Sequence, residues 1–277
     1  CIRDRVSPEL PIEFINTGEL DIKTTYVLPV TIKSVEGIGV LQSAKTYYYV
    51  FRGASLINVV CNISRNRAYP DFKNDSKFNN LTENTMEILF KANSFPNTLN
   101  TLMGIESNYL LRIGDATIPN NQLQVATSVN NCTSADLQLE SGKWYHVAVA
   151  FNKGNVKVYI NGVEKLSGST GKSSVSLGAK HTNEEDGSRC FWVGYSYKDD
   201  RYFDGVVSEV RIWNRALTAE EIQATNHFYT IEPESEGLIA YWKFDEGSGT
   251  VAKDYSVSGY DLTIEKEPKW ESVSLPQ

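Results

Sequence analysis

The sequence is short of the residues that most metal, redox and nucleic-acid chemistry needs. Only four cysteines, Cys1, Cys61, Cys132 and Cys190, occur in 277 residues. They are too far apart for a C-x-x-C pair, which excludes zinc-ribbon and thioredoxin-like readings on spacing. A chain of this size can bury a full core without disulfides, so isolated buried thiols are expected. The three histidines, His146, His181 and His227, form no H-x-x-H or H-E-x-x-H pair, and no G-x-S-x-G context accompanies them. His146, mid-strand beside Trp144, reads as a hydrogen-bonded sheet residue. Positive charge is also in deficit. With 27 Lys and Arg against 34 Asp and Glu, the net charge is -7, which argues against a nucleic-acid partner. No apolar run is long enough to span a bilayer, and phosphate-cradling loops and internal repeats are missing. No signal peptide opens the sequence, as expected of a mature or trimmed chain.

What is abundant is alternation and aromatic side chains, with 15 tyrosines and 5 tryptophans. Met86–Lys91, Tyr109–Ile113 and Gln122–Ala126 alternate as strands do, with Gly114–Asn121 expected as the loop between the last two. Tyr145, Val147, Val149 and Phe151 share one face, while Trp144, His146 and Ala148 share the other. Asn152–Asn155 and Asn161-Gly162 are hairpin turns, built from residues that accept positive φ. Thr218-Ala219-Glu220-Glu221 is a capping box and predicts one short helix. Near the N-terminus, Tyr26, Leu28, Val30 and Ile32 share a face and Thr46–Phe51 returns. Pro29 places the first of these strands at an edge or a bulge. Gly53–Phe78 is polar and irregular and is expected to hold a domain boundary.

Four phrases carry a family resemblance. They are Trp144–Phe151, Val156–Gly162, Phe203–Gly205 running into Glu209–Leu217, and Leu238–Gly247. Together they resemble the laminin-G-like, concanavalin A-like jelly roll of lectins, pentraxins and glucanases. The Leu-Thr-x-x-Glu-Ile helix of that family matches Leu217–Ile222. Thr25–Val30 with Val35-Glu36-Gly37 resembles the immunoglobulin-like domain that precedes such jelly rolls in gut bacterial surface lipoproteins, here only in part. The resemblance implies an all-β fold, with residues 1–58 as a partial immunoglobulin-like domain and residues 62–277 as the jelly-roll sandwich. It also implies non-catalytic carbohydrate binding by an exported protein at the outer-membrane surface or in the periplasm. The membrane is reached only through a lipid anchor if any; Cys1 is either its acylated residue or a truncation point, and Ile2–Val6 reads as folded sequence rather than the flexible spacer an acyl anchor wants.

Glucanases of this fold place catalytic carboxylates at alternate positions of one strand, as Glu-x-Asp-x-x-Glu. That pattern is missing: Glu19-Leu20-Asp21 has no third glutamate in register, and Glu184-Glu185-Asp186-Gly187 reads as a solvated loop. A glycoside hydrolase of another type and a protein-adhesion module stay as the alternatives. For the ligand, the expected partner is a poly- or oligosaccharide. Tyr195, Tyr197, Asp199 and Arg201 are the first choice of site, the two rings sharing strand parity as a platform. Arg112, Asp115 and Asn121 are the second. No cofactor is required. A Ca²⁺ ion of the kind such sandwiches hold at their rim would take oxygens from Asp115, Asn120 and Asn121, or from Asp199, Asp200 and Asp204.

Overall fold

The computed structural model describes residues 20, 24–33, 45–52, 55–181 and 189–276. Cys1, Glu19, Asp21, the Gly37–Gly39 turn and the Glu184–Gly187 run lie outside the described residues. The chain divides into two units, Cys1–Leu56 with Pro276–Gln277, and Ile57–Leu275. In the first, β1 (Thr25–Thr31) and β2 (Thr46–Arg52) pair antiparallel with Pro29 opposite Tyr48. Both strands of a two-stranded sheet are edges, where a residue without an N–H is tolerated.

The second unit is a sandwich. Its strands are β3 (Ile57–Asn62), β4 (Ala68–Pro70), β5 (Glu83–Ala92), β6 (Asn100–Ile105), β7 (Tyr109–Asp115), β8 (Ile118–Thr127), β9 (Trp144–Asn152) and β10 (Asn155–Ile160), followed by β11 (Val163–Ser169), β12 (Trp192–Val193), β13 (Gly205–Trp213), β14 (Leu238–Trp242), β15 (Val251–Ala252), β16 (Leu262–Ile264) and β17 (Lys269–Leu275). The larger sheet runs β11-β10-β9-β5-β13-β3-β17, with β14 also on β13; the smaller runs β15-β16-β4-β12-β6-β7-β8. The core lies between them. Met86, Ile88 and Phe90 of β5 and Val147, Val149 and Phe151 of β9 meet Leu111 and Ile113 of β7 and Leu123 and Val125 of β8. The all-β sandwich expected from alternation is the observed fold. Cys61, Cys132 and Cys190 are buried thiols, and burial pushes the Cys61 thiol above its ordinary pKa.

Two segments depart from expectation. The two units divide within Gly53–Phe78, between Leu56 and Ile57, but the stretch read as irregular also holds β3 and β4, so the sandwich takes in Ile57–Asn62. Both faces of β3 are covered, Cys61 packing in the main core and Val60 in a separate cluster with Leu89 and Val206, and burial on both faces erases the period-two pattern. The expected Gly114–Asn121 loop shrinks to the turn at Ala116-Thr117, because Asp115 pairs with Ile118 and the strands resume at once. Asn120 and Asn121 belong to β8, the edge strand of its sheet. Polar composition there reflects an exposed edge rather than a loop.

The helix α1 (Ala219–Ile222) begins as its sequence dictates. Thr218 Oγ1 accepts from the Glu221 N–H, and Glu221 returns a carboxylate oxygen to the Thr218 N–H. Both satisfy backbone donors that the first helical turn leaves open. Helix α1 and the segment after it cover the outer face of the larger sheet: Leu217 and Ile222 pack on Ala148, Tyr159 and Trp213. Thr218→Ala is expected to lose about 1 kcal/mol of stability, a typical cost for a lost cap, read as a lowered urea midpoint with an unchanged slope.

Candidate functional site

The outward face of the smaller sheet carries a row of polar residues across three strands. Thr101 of β6 lies opposite Arg112 of β7, which lies opposite Gln124 of β8. Their sequence neighbours point into the core, so alternation alone delivers all three to one face. Arg112 Nε donates to Gln124 Oε1 at 2.8 Å, and its Nη2 meets Asp115 Oδ2 at 2.5 Å. Thr101 Oγ1 and Ser196 Oγ are 2.6 Å apart. Ser196 Oγ donates to Glu106 Oε2 at 3.3 Å, which also takes Arg201 Nη1 at 2.8 Å. Burial lowers the Arg112 pKa, and Asp115 and Glu106 oppose that effect.

Beside this row stands a group of aromatics with one cation. The Arg67 guanidinium lies 4.4 Å from the Tyr195 ring centroid and 5.0 Å from that of Trp192, held by Glu265 at 2.5 Å. Tyr202 packs 5.0 Å from Tyr195. Next to it opens a cavity of about 660 Å³ lined by Ser64, Arg65, Asn97, Asp199, Tyr202 and Lys266, among others. That volume falls in the range of small-ligand clefts, roughly 300–1,000 Å³. Asn97 Nδ2 donates to the Tyr202 carbonyl at 3.0 Å and so fixes one wall. Burial pushes the Tyr202 hydroxyl up to about 12, which keeps it a neutral donor and acceptor at ordinary pH.

Asp204 shapes the cavity floor. Its Oδ1 accepts from Ser64 Oγ at 2.8 Å and Asn93 Nδ2 at 3.2 Å, and its Oδ2 from Ser94 Oγ at 2.6 Å. Burial works against the charge, but these bonds, Ser94 and Ser64 ahead of Asn93, outweigh it and hold the carboxyl below its ordinary value. A carboxylate depressed in the fold contributes stability above its unfolded pKa of about 3.9 and loses it as pH falls through the folded value. Urea unfolding at about pH 6 and about pH 3 should therefore show a larger acid loss in the wild type than in Asp204→Asn. Equal losses would remove Asp204 from the acid response.

The structure sorts the expected site residues. Arg112, Asp115 and Arg201 share the polar face, and Asp199 lines the cavity. Tyr195 and Tyr197 do not form a platform. β12 ends at Val193, and Tyr197 takes a left-handed φ of 63°, so strand parity never reaches them. Tyr195 is buried at 4% exposure, its ring under Arg67. Tyr197 is half-buried, with Arg189, Lys198 and Arg201 each within 6 Å of its ring centroid. Asn121 turns away, its Nδ2 donating to the Leu139 carbonyl at 2.8 Å. Of the proposed calcium oxygens, those of Asp115 are engaged by Arg112 and the Ala116 N–H, and those of Asp204 by three donors. Among the described residues, one group brings three metal-ligating side chains within 4.8 Å: Glu87, His146 and His227, buried on the other sheet. Residue reading missed Arg65, Arg67, Asn97, Glu106 and Lys266. They come from separate connections, and no spacing within one segment announces them.

A family model described as the Concanavalin A-like lectin/glucanases superfamily matches residues 66–223. Among solved structures, a candidate carbohydrate-binding protein from Bacteroides ovatus ATCC 8483 superposes with a TM-score of 0.67 at 26% identity, covering 92% of this chain and 70% of that one. A heptameric SAP-like pentraxin from Limulus polyphemus gives a TM-score of 0.43 at 14% identity over 63% of this chain and 83% of its own. Domain 4 of AbnA, an extracellular GH43 arabinanase from Geobacillus stearothermophilus in complex with arabinotriose, gives 0.43 at 19% identity over 78% and 91%. No curated protein matches the chain. The family model spans more than half of the 277 residues, and the sandwich it describes is the fold observed: the chain belongs to the concanavalin A-like lectin/glucanases superfamily.

Proposed function

We propose that this protein binds a carbohydrate without cleaving it, at the cavity walled by Tyr202, Asn97 and Asp199, and that it does so at a bacterial cell surface. The observation that carries the reading is the composition of that cavity. It offers one aromatic edge, an amide, a carboxylate and the two cations Arg65 and Lys266 around a floor already satisfied by hydrogen bonds. Sugars need such a mixture, a ring for C–H faces and fixed polar groups for hydroxyls, because a buried hydroxyl without a partner is costly. The likeness to the Bacteroides ovatus protein, described for carbohydrate binding, supports the class of ligand and the bacterial setting.

A glycan array followed by calorimetry tests the reading. Tyr202→Ala is expected to lose on the order of 1–3 kcal/mol of binding, the range for truncating an interface hot spot, while circular dichroism stays unchanged. Running the titration with added Ca²⁺ and again with chelator measures any calcium contribution. Release of reducing ends during incubation would replace binding by hydrolysis. Unchanged affinity in Tyr202→Ala would move the site elsewhere. Protease shaving of intact producing cells tests the surface location: a protein that survives shaving is not displayed outside.

A further inference from the structure

The geometry assigns a zinc-binding site to Glu87, His146 and His227, beneath the segment that covers the larger sheet. Glu87 projects from β5 and His146 from β9 on the outer face of that sheet, while His227 comes from the cover, five residues beyond the end of α1. Glu87 and His146 are fully buried and His227 is 5% exposed. Glu87 Oε1 lies 2.6 Å from His227 Nε2 and 3.4 Å from His146 Nε2. Its other oxygen is occupied by Trp213 Nε1 at 2.7 Å. One carboxylate oxygen and two imidazole nitrogens thus converge on a point, and Oε1 is the atom left to serve it.

A second observation singles out His146. Neither of its ring nitrogens has a hydrogen-bond partner, although the ring is fixed by stacking on Phe228 at 4.5 Å between centroids. A buried imidazole left in this way is costly, and each such group in a folded protein requires an explanation. With Nε2 unprotonated, its lone pair faces a carboxylate oxygen across 3.4 Å, and a cation between them removes the penalty. The spacing between His146 and Glu87 suits one: tetrahedral zinc with Zn–N and Zn–O bonds of roughly 2.0–2.2 Å sets its ligand atoms about 3.4 Å apart. The 2.6 Å between His227 Nε2 and Glu87 Oε1 is a hydrogen-bond distance, so admitting the ion requires the cover to lift His227 by a little under about 1 Å. Zn²⁺ takes the place of the proton between His227 Nε2 and Glu87 Oε1, with water as the fourth ligand. Bound there, it ties the cover segment to β5 and β9.

The test uses the full chain, refolded with and without ZnCl₂ so that the cover does not block access. Metal content after gel filtration, calorimetric titration with Zn²⁺ and melting temperature are read together. One equivalent is expected, with a melting temperature that rises with zinc and falls back with EDTA. His146→Leu is the informative variant. It removes a ligand but no hydrogen bond, so the zinc-free fold should keep its melting temperature. His227→Gln is the second, since an amide can still donate to Glu87. Both should weaken binding by more than the roughly 10–100-fold that disturbing an outer partner of a metal ligand costs. A folded wild type that takes up no zinc overturns the site. So does zinc binding of equal strength in both variants, which would place the ion elsewhere on the chain.

Discussion

Arg211→Ala is expected to destabilise the sandwich by roughly 3–5 kcal/mol, the cost of breaking a buried ion pair from one side. Arg211 is fully buried and central. Its Nη2 pairs with Glu209, its Nη1 donates to the His227 carbonyl at 2.7 Å and lies 3.7 Å from Glu87 Oε2. Glu209 also accepts from the Tyr241 hydroxyl at 2.6 Å. A bulge produces this arrangement: Ser208 pairs with Leu89 and Arg211 with Glu87, so two residues of β13 face one of β5, and Glu209 takes a φ of 49°. The bulge turns Glu209 onto the face that Arg211 occupies. Burial raises the Glu209 pKa against the pull of Arg211 and Tyr241, so removing the guanidinium strands a carboxylate that water cannot reach. At about 2–4 °C per kcal/mol for a domain of this size, the melting temperature should fall by roughly 6–20 °C. Glu209→Gln with Arg211→Met removes both charges together and should cost less than Arg211→Ala alone, because no uncompensated ion is left behind. A single variant that costs less than the double would show that the pair contributes nothing.

That network also marks the limit of what the sequence reveals. Strand periodicity put Val147, Val149 and Phe151 on one face and His146 on the other, and that division holds because alternation is a local property of the backbone; which face is the core comes from the packing. The capping box at Thr218 and the turn at Asn161-Gly162, with φ of 48° and 77°, were legible for the same reason. Local rules failed where tertiary packing decides. His146 reads as an ordinary hydrogen-bonded sheet residue, yet its ring nitrogens have no hydrogen-bond partner. Its neighbours arrive from positions 87 and 227, and no local pattern pairs them. The tyrosine platform failed through a turn: parity holds only while the strand continues, and β12 is two residues long. Arg201 was chosen from a mixed polar and aromatic loop and Arg112 from a polar group near a strand end. Their meeting through Glu106, Ser196 and Thr101 depends on β12 lying beside β6, a pairing no local signal carries.

Gly104→Ala should show how far the polar face depends on the backbone beneath it. Gly104 lies in β6 with φ of 121°, and a Cβ built there would stand 2.4 Å from the Tyr109 carbonyl oxygen and 2.9 Å from the Leu110 Cα. Both obstacles are backbone, so no side chain can swing aside. Sparsely populated dihedrals cost about 1–3 kcal/mol and overpacking typically another 1–3 kcal/mol, so the variant should lose on the order of 4 kcal/mol. Relief requires β6 and β7 to part. That movement would shift Thr101 from Arg112, its cross-strand neighbour three positions along β6, and Trp192, which pairs with Gly104 from β12. Trp192 packs on Tyr195, which packs on Tyr202 of the cavity wall, so stability and glycan affinity should fall together in Gly104→Ala, whereas Tyr202→Ala should lose affinity alone. Chemical denaturation and calorimetry on the two variants separate the cases. A Gly104→Ala protein that unfolds at the wild-type urea midpoint would mean that the strands absorb the methyl group without parting, and the polar row would then owe its alignment to its own hydrogen bonds rather than to the sheet.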